Sequence, residues 1–185
     1  MRVDQSAHYR ELLDIYRART EIYDALVRYC RGVDRMDRDL IRFAYHPDAN
    51  DNHGSYNGPI DGFIEWIFAN HQGQVMSSVH HLGNVMLEIA GSLAHGESYV
   101  LVNHRRMIDG RLYDLLSHGR FLDRFADRDG KWKIIDRVVV LDWDRLDPVD
   151  QRWDEPLTGQ LLKAERSRDD PSYAALSSGL DITDR

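Results

Sequence analysis

The sequence predicts an α+β fold built on a mostly antiparallel sheet, and three observations point to it. Apolar residues recur every three to four positions over much of the first third of the chain. Runs rich in β-formers follow in the second part. Those runs are separated by the turn signals Asp109-Gly110 and Asp127-Arg128-Asp129-Gly130. Helices first and hairpin-linked strands afterwards is the order of a segregated α+β domain.

The elements can be justified in turn. Ile15, Tyr16, Ile22, Tyr23, Leu26, Tyr29, Cys30 and Val33 form the stripe of an amphipathic helix. Thr20-Glu21 is an alternative helix start, so a break near residues 18–20 and a continuous helix are both open. A short second helix takes Asp37 or Asp39 as its N-cap and buries Leu40, Ile41, Phe43 and Ala44. It stops at His46-Pro47, because the residue before proline avoids the helical region. Residues 48–56 are polar and lead to the Asn57-Gly58 turn. Pro59 suits the first position of a third helix, with Ile60, Phe63, Ile64, Trp66, Ile67 and Phe68 buried and an end by Gly73. Strands are expected over 79–89, 97–107, 113–126 and 132–143.

By simple alternation, Trp132, Ile134, Val138 and Val140 share one face of the last strand, and Ile135, Arg137, Val139, Leu141 and Trp143 the other. Both faces are apolar, so both are expected to be covered, one by helices and the other by a second subunit or by the C-terminal segment folding back. The composition turns polar after Arg145, which divides the chain into a domain over 1–145 and an extension over 146–185. Trp153, Leu157, Leu161 and Leu162 are expected to anchor one short helix there, and residues 172–185 to be mobile.

Composition narrows the function. The 185 residues, 42% hydrophobic and 30% charged, suit one soluble globular domain. A net charge of −7 argues against nucleic acid as partner. The single cysteine, Cys30, allows no internal disulfide and no cysteine zinc cluster. No apolar run approaches the roughly 20 residues that span a bilayer, and residues 1–5 lack a signal-peptide core. No membrane partner and a cytoplasmic location are therefore expected. Metal and phosphate motifs are absent from the sequence, so neither a metal nor a cofactor is expected, and chemistry falls to ordinary acids and bases.

His80 is the leading candidate, a histidine at the start of a strand in Ser77-Ser78-Val79-His80-His81-Leu82-Gly83-Asn84. Imidazole is the natural general base near neutral pH. Alternation puts His80, Leu82, Asn84 and Met86 on one face and His81 on the other, so the two histidines cannot share a metal. Asp34, at the end of the long helix, is placed to orient a histidine, or else simply to cap or face solvent. Arg137 is a charge in an apolar strand and needs a carboxylate or an anion as partner. Asp51 and His53, two residues apart, face the same way on a short strand, or lie in a polar loop.

The order Tyr29…Asp34, His46-Pro47-Asp48-Ala49, Tyr56-x-Gly58-Pro59, Val79-His80-His81-Leu82-Gly83-Asn84 and Asp129-Gly130-x-Trp132-Lys133-Ile134 resembles the SnoaL-like branch of the nuclear-transport-factor-2-like superfamily over roughly residues 10–145. The resemblance is nearest to its cofactor-free lyases: scytalone dehydratase, hexachlorocyclohexane dehydrochlorinase, bile-acid 7α-dehydratase and a diarylpropane formaldehyde lyase. It implies a curved, cystatin-like sheet wrapped around the N-terminal helices as a cone-shaped α+β barrel with an apolar pocket. It further implies His80 as base, Asp34 as its orienting partner and Arg137 as the last-strand arginine that stabilises negative charge or fixes the substrate. Where the dehydrochlorinase carries a lysine, Tyr29 stands here, as in dehydratases with a tyrosine in this region, which implies Tyr29 as the acid, with His53 as an alternative donor. Asp51, Tyr45 and Asn84 join His53 as expected substrate-binding residues. The implied reaction is loss of water or of formaldehyde from a small aromatic or polycyclic hydroxylated substrate, in a homo-oligomer with a trimer favoured over a dimer. Two other readings stay open: a non-catalytic β-subunit of a ring-hydroxylating dioxygenase or ligand-binding module of the same fold, and a ketosteroid-type isomerase with Asp34 itself as base.

Overall fold

A computed structural model describes residues 5–150, 155–156 and 158–177. Helix α1 (Gln5–Arg35) is continuous. Thr20 sits inside it with Oγ1 donating to the Tyr16 carbonyl at 2.9 Å, so its hydroxyl is satisfied within the helix and starts nothing new. The buried stripe begins at Ala18 and runs through Ile22, Leu26, Tyr29 and Val33, while Ile15, Tyr16 and Tyr23 are exposed. Helix α2 (Arg38–Ala44) is capped by Asp37, whose carboxylate accepts from the N–H groups of Asp39 and Leu40. The two helices meet at Gly32, where a Cβ would lie 2.7 Å from Ile41 Cγ1.

The remaining elements are β1 (Tyr45–Asn52), β2 (Asn57–Pro59), α3 (Ile60–His71), β3 (Val75–Ala90), β4 (Leu93–Ile108), β5 (Arg111–Arg128), β6 (Lys131–Pro148), a 3-10 turn (Thr158–Gln160) and α4 (Pro171–Ser177). Pro59 is the N-cap of α3, one place earlier than expected, and Trp66 and Phe68 are only half-buried. The strands form one sheet in the order β2-β1-β6-β5-β4-β3, antiparallel throughout except between β1 and β6. The sheet is mixed and curved but not closed, so the expected barrel is an open one, ending at β2 and β3. Asp109-Gly110 and Asp129-Gly130 make the two late hairpin turns with all four residues at positive φ. Helices α1 and α3 cover the concave face. Ile22, Leu26, Tyr29, Ile64, Phe121, Phe125 and Ile134 form the core between them.

Bulges shape this sheet and break the simple alternation expected of it. On β3, Gly83 and Asn84 together face Tyr99, because Leu82 pairs with Val100 and Val85 with Ser98. His80 and Leu82 therefore face inward, and so do Val85, Leu87 and Ile89, while Asn84 is turned out to solvent. On β6, Ile135 is the extra residue between Ile134, opposite Phe125, and Asp136, opposite Arg124. Arg137 and Val139 are thereby brought to the inner side with Trp132 and Ile134, and Val138 becomes exposed. A second β6 bulge at Asp142 lies beside Gly119, where a Cβ would stand 2.4 Å from the Val140 carbonyl oxygen.

The described residues of the C-terminal extension pack against the helix ends and not over the outer sheet face. Arg168 and Tyr173 both donate to Asp37, and Arg35 pairs with Asp170. Residues 172–177 lie within α4, and the rest of the segment expected to be mobile, 178–185, lies outside the described residues. Leu161 and Leu162 are 61% and 84% exposed and anchor nothing, and Trp153 and Leu157 lie outside the described residues. Met86, Leu122, Leu141 and Trp143 stay exposed on the sheet. Among the described residues no helix is long and apolar enough to cross a membrane.

Candidate active site

A cavity of about 150 Å³ lies between the concave sheet face and helices α1 and α3. Val33, Ile67, Val100, Val102, Phe121 and Val139 make it mostly apolar. Its polar lining includes Tyr29, His53, His71, His80, His104 and Ser117. The volume matters because a cavity of roughly this size with apolar walls accommodates one benzene ring.

His80 enters from β3 and meets Asp34, the penultimate residue of α1. Its Nδ1–H donates to Asp34 Oδ1 at 2.6 Å, its backbone N–H donates to Oδ2 at 3.0 Å, and Ser78 Oγ adds a bond to Oδ1 at 2.7 Å. Burial alone would raise the Asp34 carboxyl, but the bonds and charge of His80 and the Ser78 hydroxyl outweigh it and hold it below the usual range. A carboxylate fixed on Nδ1 leaves Nε2 as the ring nitrogen turned toward the cavity.

A second pair stands beside it on β1 and the residue after it. His53 Nδ1 bonds Asp51 Oδ1, and Asp51 Oδ2 accepts from the Tyr45 hydroxyl at 2.6 Å. The other ring nitrogen, Nε2, lies 2.9 Å from the Tyr29 hydroxyl. Tyr29 thus sits between the pairs, its ring 6.3 Å from that of His53 and 6.4 Å from that of His80. Burial and the Asp51 charge push the Tyr29 phenol well up, against the lowering effect of Arg137, so it keeps its proton.

Arg137 and Asp123 form a layer behind this. Both are fully buried and joined by two bonds of 2.7 Å, Nε to Oδ1 and Nη2 to Oδ2. The guanidinium also lies over the rings of Phe121 and Tyr29, at 4.0 and 4.2 Å. The partner expected for Arg137 is thus Asp123, its neighbour in β5–β6 register, and the arginine supports Tyr29 from behind without lining the cavity. Tyr45 and Asp51 stand in the same back layer. The structure brings Tyr29, His53 and His80 together on the wall and Asp34, Asp51, Tyr45 and Arg137 behind them. Asn84, expected as a substrate contact, is outside because of its bulge.

Sequence reasoning missed His71 and His104. Their rings meet edge to face at 5.0 Å, and His104 lies 5.9 Å from His80. Burial, then neighbouring positive charge, pushes each imidazole down to about 3, so both are neutral. His71 Nδ1 accepts from Arg166 at 3.0 Å. Arg166, also missed, donates in addition to the carbonyls of Val33, Asp34 and Val75, tying the end of α1 to the start of β3 where the His80–Asp34 pair is assembled. Among the described residues no three His, Cys, Asp or Glu side chains converge as a metal ion would need.

Residues 14–138 match the SnoaL-like domain family. No curated protein matches the chain in sequence. Solved structures share its fold. LinA-type3 hexachlorocyclohexane dehydrochlorinase from Novosphingobium barchaimii is 19% identical with a TM-score of 0.66, over 76% of this chain and 95% of that one. A second dehydrochlorinase, LinA Type2, is 18% identical with a TM-score of 0.68, over 78% and 97%. A candidate scytalone dehydratase from Novosphingobium aromaticivorans is 16% identical with a TM-score of 0.60, over 77% and 97%. At these identities the likeness is one of fold.

Proposed function

The chain belongs to the SnoaL-like family, and from that premise we propose that it is a cofactor-independent lyase that eliminates water or formaldehyde from a small hydroxylated aromatic compound. The observation that carries this reading is the His80–Asp34 pair on the wall of an apolar cavity. His80 Nε2 takes a proton from carbon or from a hydroxyl group of the substrate. Asp34 holds the imidazole in the tautomer with Nδ1–H and stabilises the imidazolium that forms. Tyr29 gives its proton to the departing oxygen in loss of water, or to the carbon left with the pair of the broken C–C bond in loss of formaldehyde. The cavity volume favours a single ring over a polycyclic skeleton.

Magnitudes support an activated substrate. General acid–base catalysis supplies ~10²–10⁴-fold, and one preorganised donor adds about 3–4 kcal/mol. That total suits a bond weakened by an adjacent aryl, carbonyl or phenol group. The isomerase reading, with Asp34 as the direct base, is disfavoured because both Asp34 oxygens are already bound by Ser78 and His80.

The test is a substrate screen read by mass spectrometry. The purified chain, with no added cofactor, is incubated with single-ring aryl β-hydroxy compounds and arylpropane diols, and products are scored for loss of water or formaldehyde. A product that His80→Ala fails to make is the expected result. No product from any compound would sink the lyase reading and favour a binding or subunit role. Light scattering on the same preparation reads the homo-oligomer that we propose with it.

A further inference from the structure

The buried charges behind Tyr29 do not balance. Asp51 and Asp123 are both fully buried. Both oxygens of Asp123 accept from Arg137, which favours its carboxylate against the raising effect of burial, and the two of Asp51 are bonded by Tyr45 and His53. Arg137 is the one guanidinium between them. As carboxylates the two would set two negative charges against one positive in a dry site, and an uncompensated buried charge is strongly unfavourable. A proton on His53 restores the balance.

Hydrogen-bond geometry asks for the same proton. With Nδ1–H on Asp51 and Nε2 bare, the Tyr29 O–H must point at Nε2, and Tyr29 then offers the cavity only a lone pair. With His53 charged, Nε2–H donates to Tyr29 Oη and frees the phenol proton for the cavity. The groups facing His53 are Tyr29 from α1, Asp51 from β1 and the uncharged rings of Phe63 and Trp66 from α3, with Arg137 and Asp123 behind Tyr29. Arg137 is the one cation among these groups, and it lies behind the Tyr29 ring paired with Asp123.

We propose that Asp51 and His53 form a proton store that loads Tyr29, with His53 resting as the imidazolium, Nδ1–H on Asp51 and Nε2–H on Tyr29. In loss of water the C–O bond breaks and its electron pair goes to the departing oxygen; in loss of formaldehyde the pair of the broken C–C bond stays on the retained carbon, and the Tyr29 proton goes there. For water, the departing hydroxyl takes the Tyr29 proton. Oη takes the Nε2 proton, and His53 is left neutral. His80 has meanwhile gained the proton removed from carbon, so the charge of the site is unchanged. One proton passing from His80 through solvent to His53 resets it. The inference rests on the lyase reading for the proton's destination, and not for the charge of the resting site.

The charge is read directly on the full chain, without substrate, by ¹⁵N NMR of its imidazoles at pH 7. His53 is assigned by its absence in His53→Gln, and Tyr29→Phe serves as an independent assignment because it removes the hydroxyl that His53 Nε2 bonds. Both His53 nitrogens carrying hydrogen is the expected result, and a neutral ring with one bare nitrogen overturns the store. Turnover gives the second reading. Tyr29→Phe, His53→Gln and the double variant should each lose a similar ~10²-fold, because removing either breaks one relay. Multiplying losses would overturn it. A charged His53 in a chain that converts nothing would keep the store and remove the lyase, whereas His80-dependent turnover with a neutral His53 would do the reverse.

Discussion

His80 and His53 each bond a buried aspartate through Nδ1, yet their second nitrogens face different surroundings. His80 turns Nε2 to the cavity, and its aspartate is held by donors alone, the Ser78 hydroxyl and the His80 backbone N–H. His53 turns Nε2 to the Tyr29 hydroxyl, and its aspartate lies near a second carboxylate and a guanidinium. In the proposed mechanism the same two residue types serve as an acceptor of protons in one place and a supplier in the other. Environment, and not identity, assigns the role.

The largest expected effect falls on the His80 side. Asp34→Asn keeps the shape but presents an amide that no longer enforces the Nδ1–H tautomer or offsets the imidazolium charge. Turnover on the compound found by the screen should fall by ~10²–10⁴-fold with KM little changed, because the loss is confined to the transition state. Activity within a few-fold of the parent would remove Asp34 from the mechanism.

Next comes the layer that distinguishes the second pair. Arg137→Met leaves Asp123 buried without its partner, and breaking such a pair is expected to cost about 3–5 kcal/mol of folding stability. Replacing both, as Arg137→Met with Asp123→Leu, should recover much of that loss, because the second variant leaves neither of these two side chains charged. Urea unfolding of the two variants checks this. A stable single variant would mean that water reaches the layer and that the charge count behind Tyr29 is not strict.

These contrasts also show what was legible beforehand. The helix-end Asp34, the strand histidine and the Asp-Gly turns could be read because each rests on local spacing or on a short motif. Asn84 and the inner face of Arg137 could not, since an extra residue at Gly83–Asn84 and another at Ile135 reverse the alternation, and a bulge leaves little trace in a single sequence. Asp123 carried little signal, one of several charges along β5, and only the extra residue at Ile135 moves its register partner from Asp136 to Arg137. Arg166 carried none. It lies in a run of mixed charges that reads as solvated, and only the return of the chain to the end of α1 gives it carbonyls to bond. His71 and His104 come together through packing between α3 and β4, which no spacing announces.

Those two histidines make the smallest predicted effect. Each is pushed down to about 3 in the fold, first by burial and then by positive neighbours, whereas an unfolded chain takes up a proton near the ordinary imidazole value of about 6.5. Between those limits the unfolded state binds more protons, so stability must fall as pH drops, by about 1.4 kcal/mol per pH unit for each ring. Burial lowers His46 too, and it adds in the same direction. Asp34 acts elsewhere: its depressed carboxyl stabilises the fold above the ordinary aspartate value near 3.9, and that contribution is lost only as pH falls from there through its lower folded value. Asp123, raised first by burial, opposes the trend above that same ordinary value. Urea midpoints measured between pH 7 and pH 4.5 should therefore decline steadily, and His104→Gln, which removes one ring that must stay neutral, should flatten the decline by about one ring's share. An unchanged slope in that variant would show that His104 takes up its proton in the folded state, and that the far wall of the cavity is wetter than its apolar lining implies.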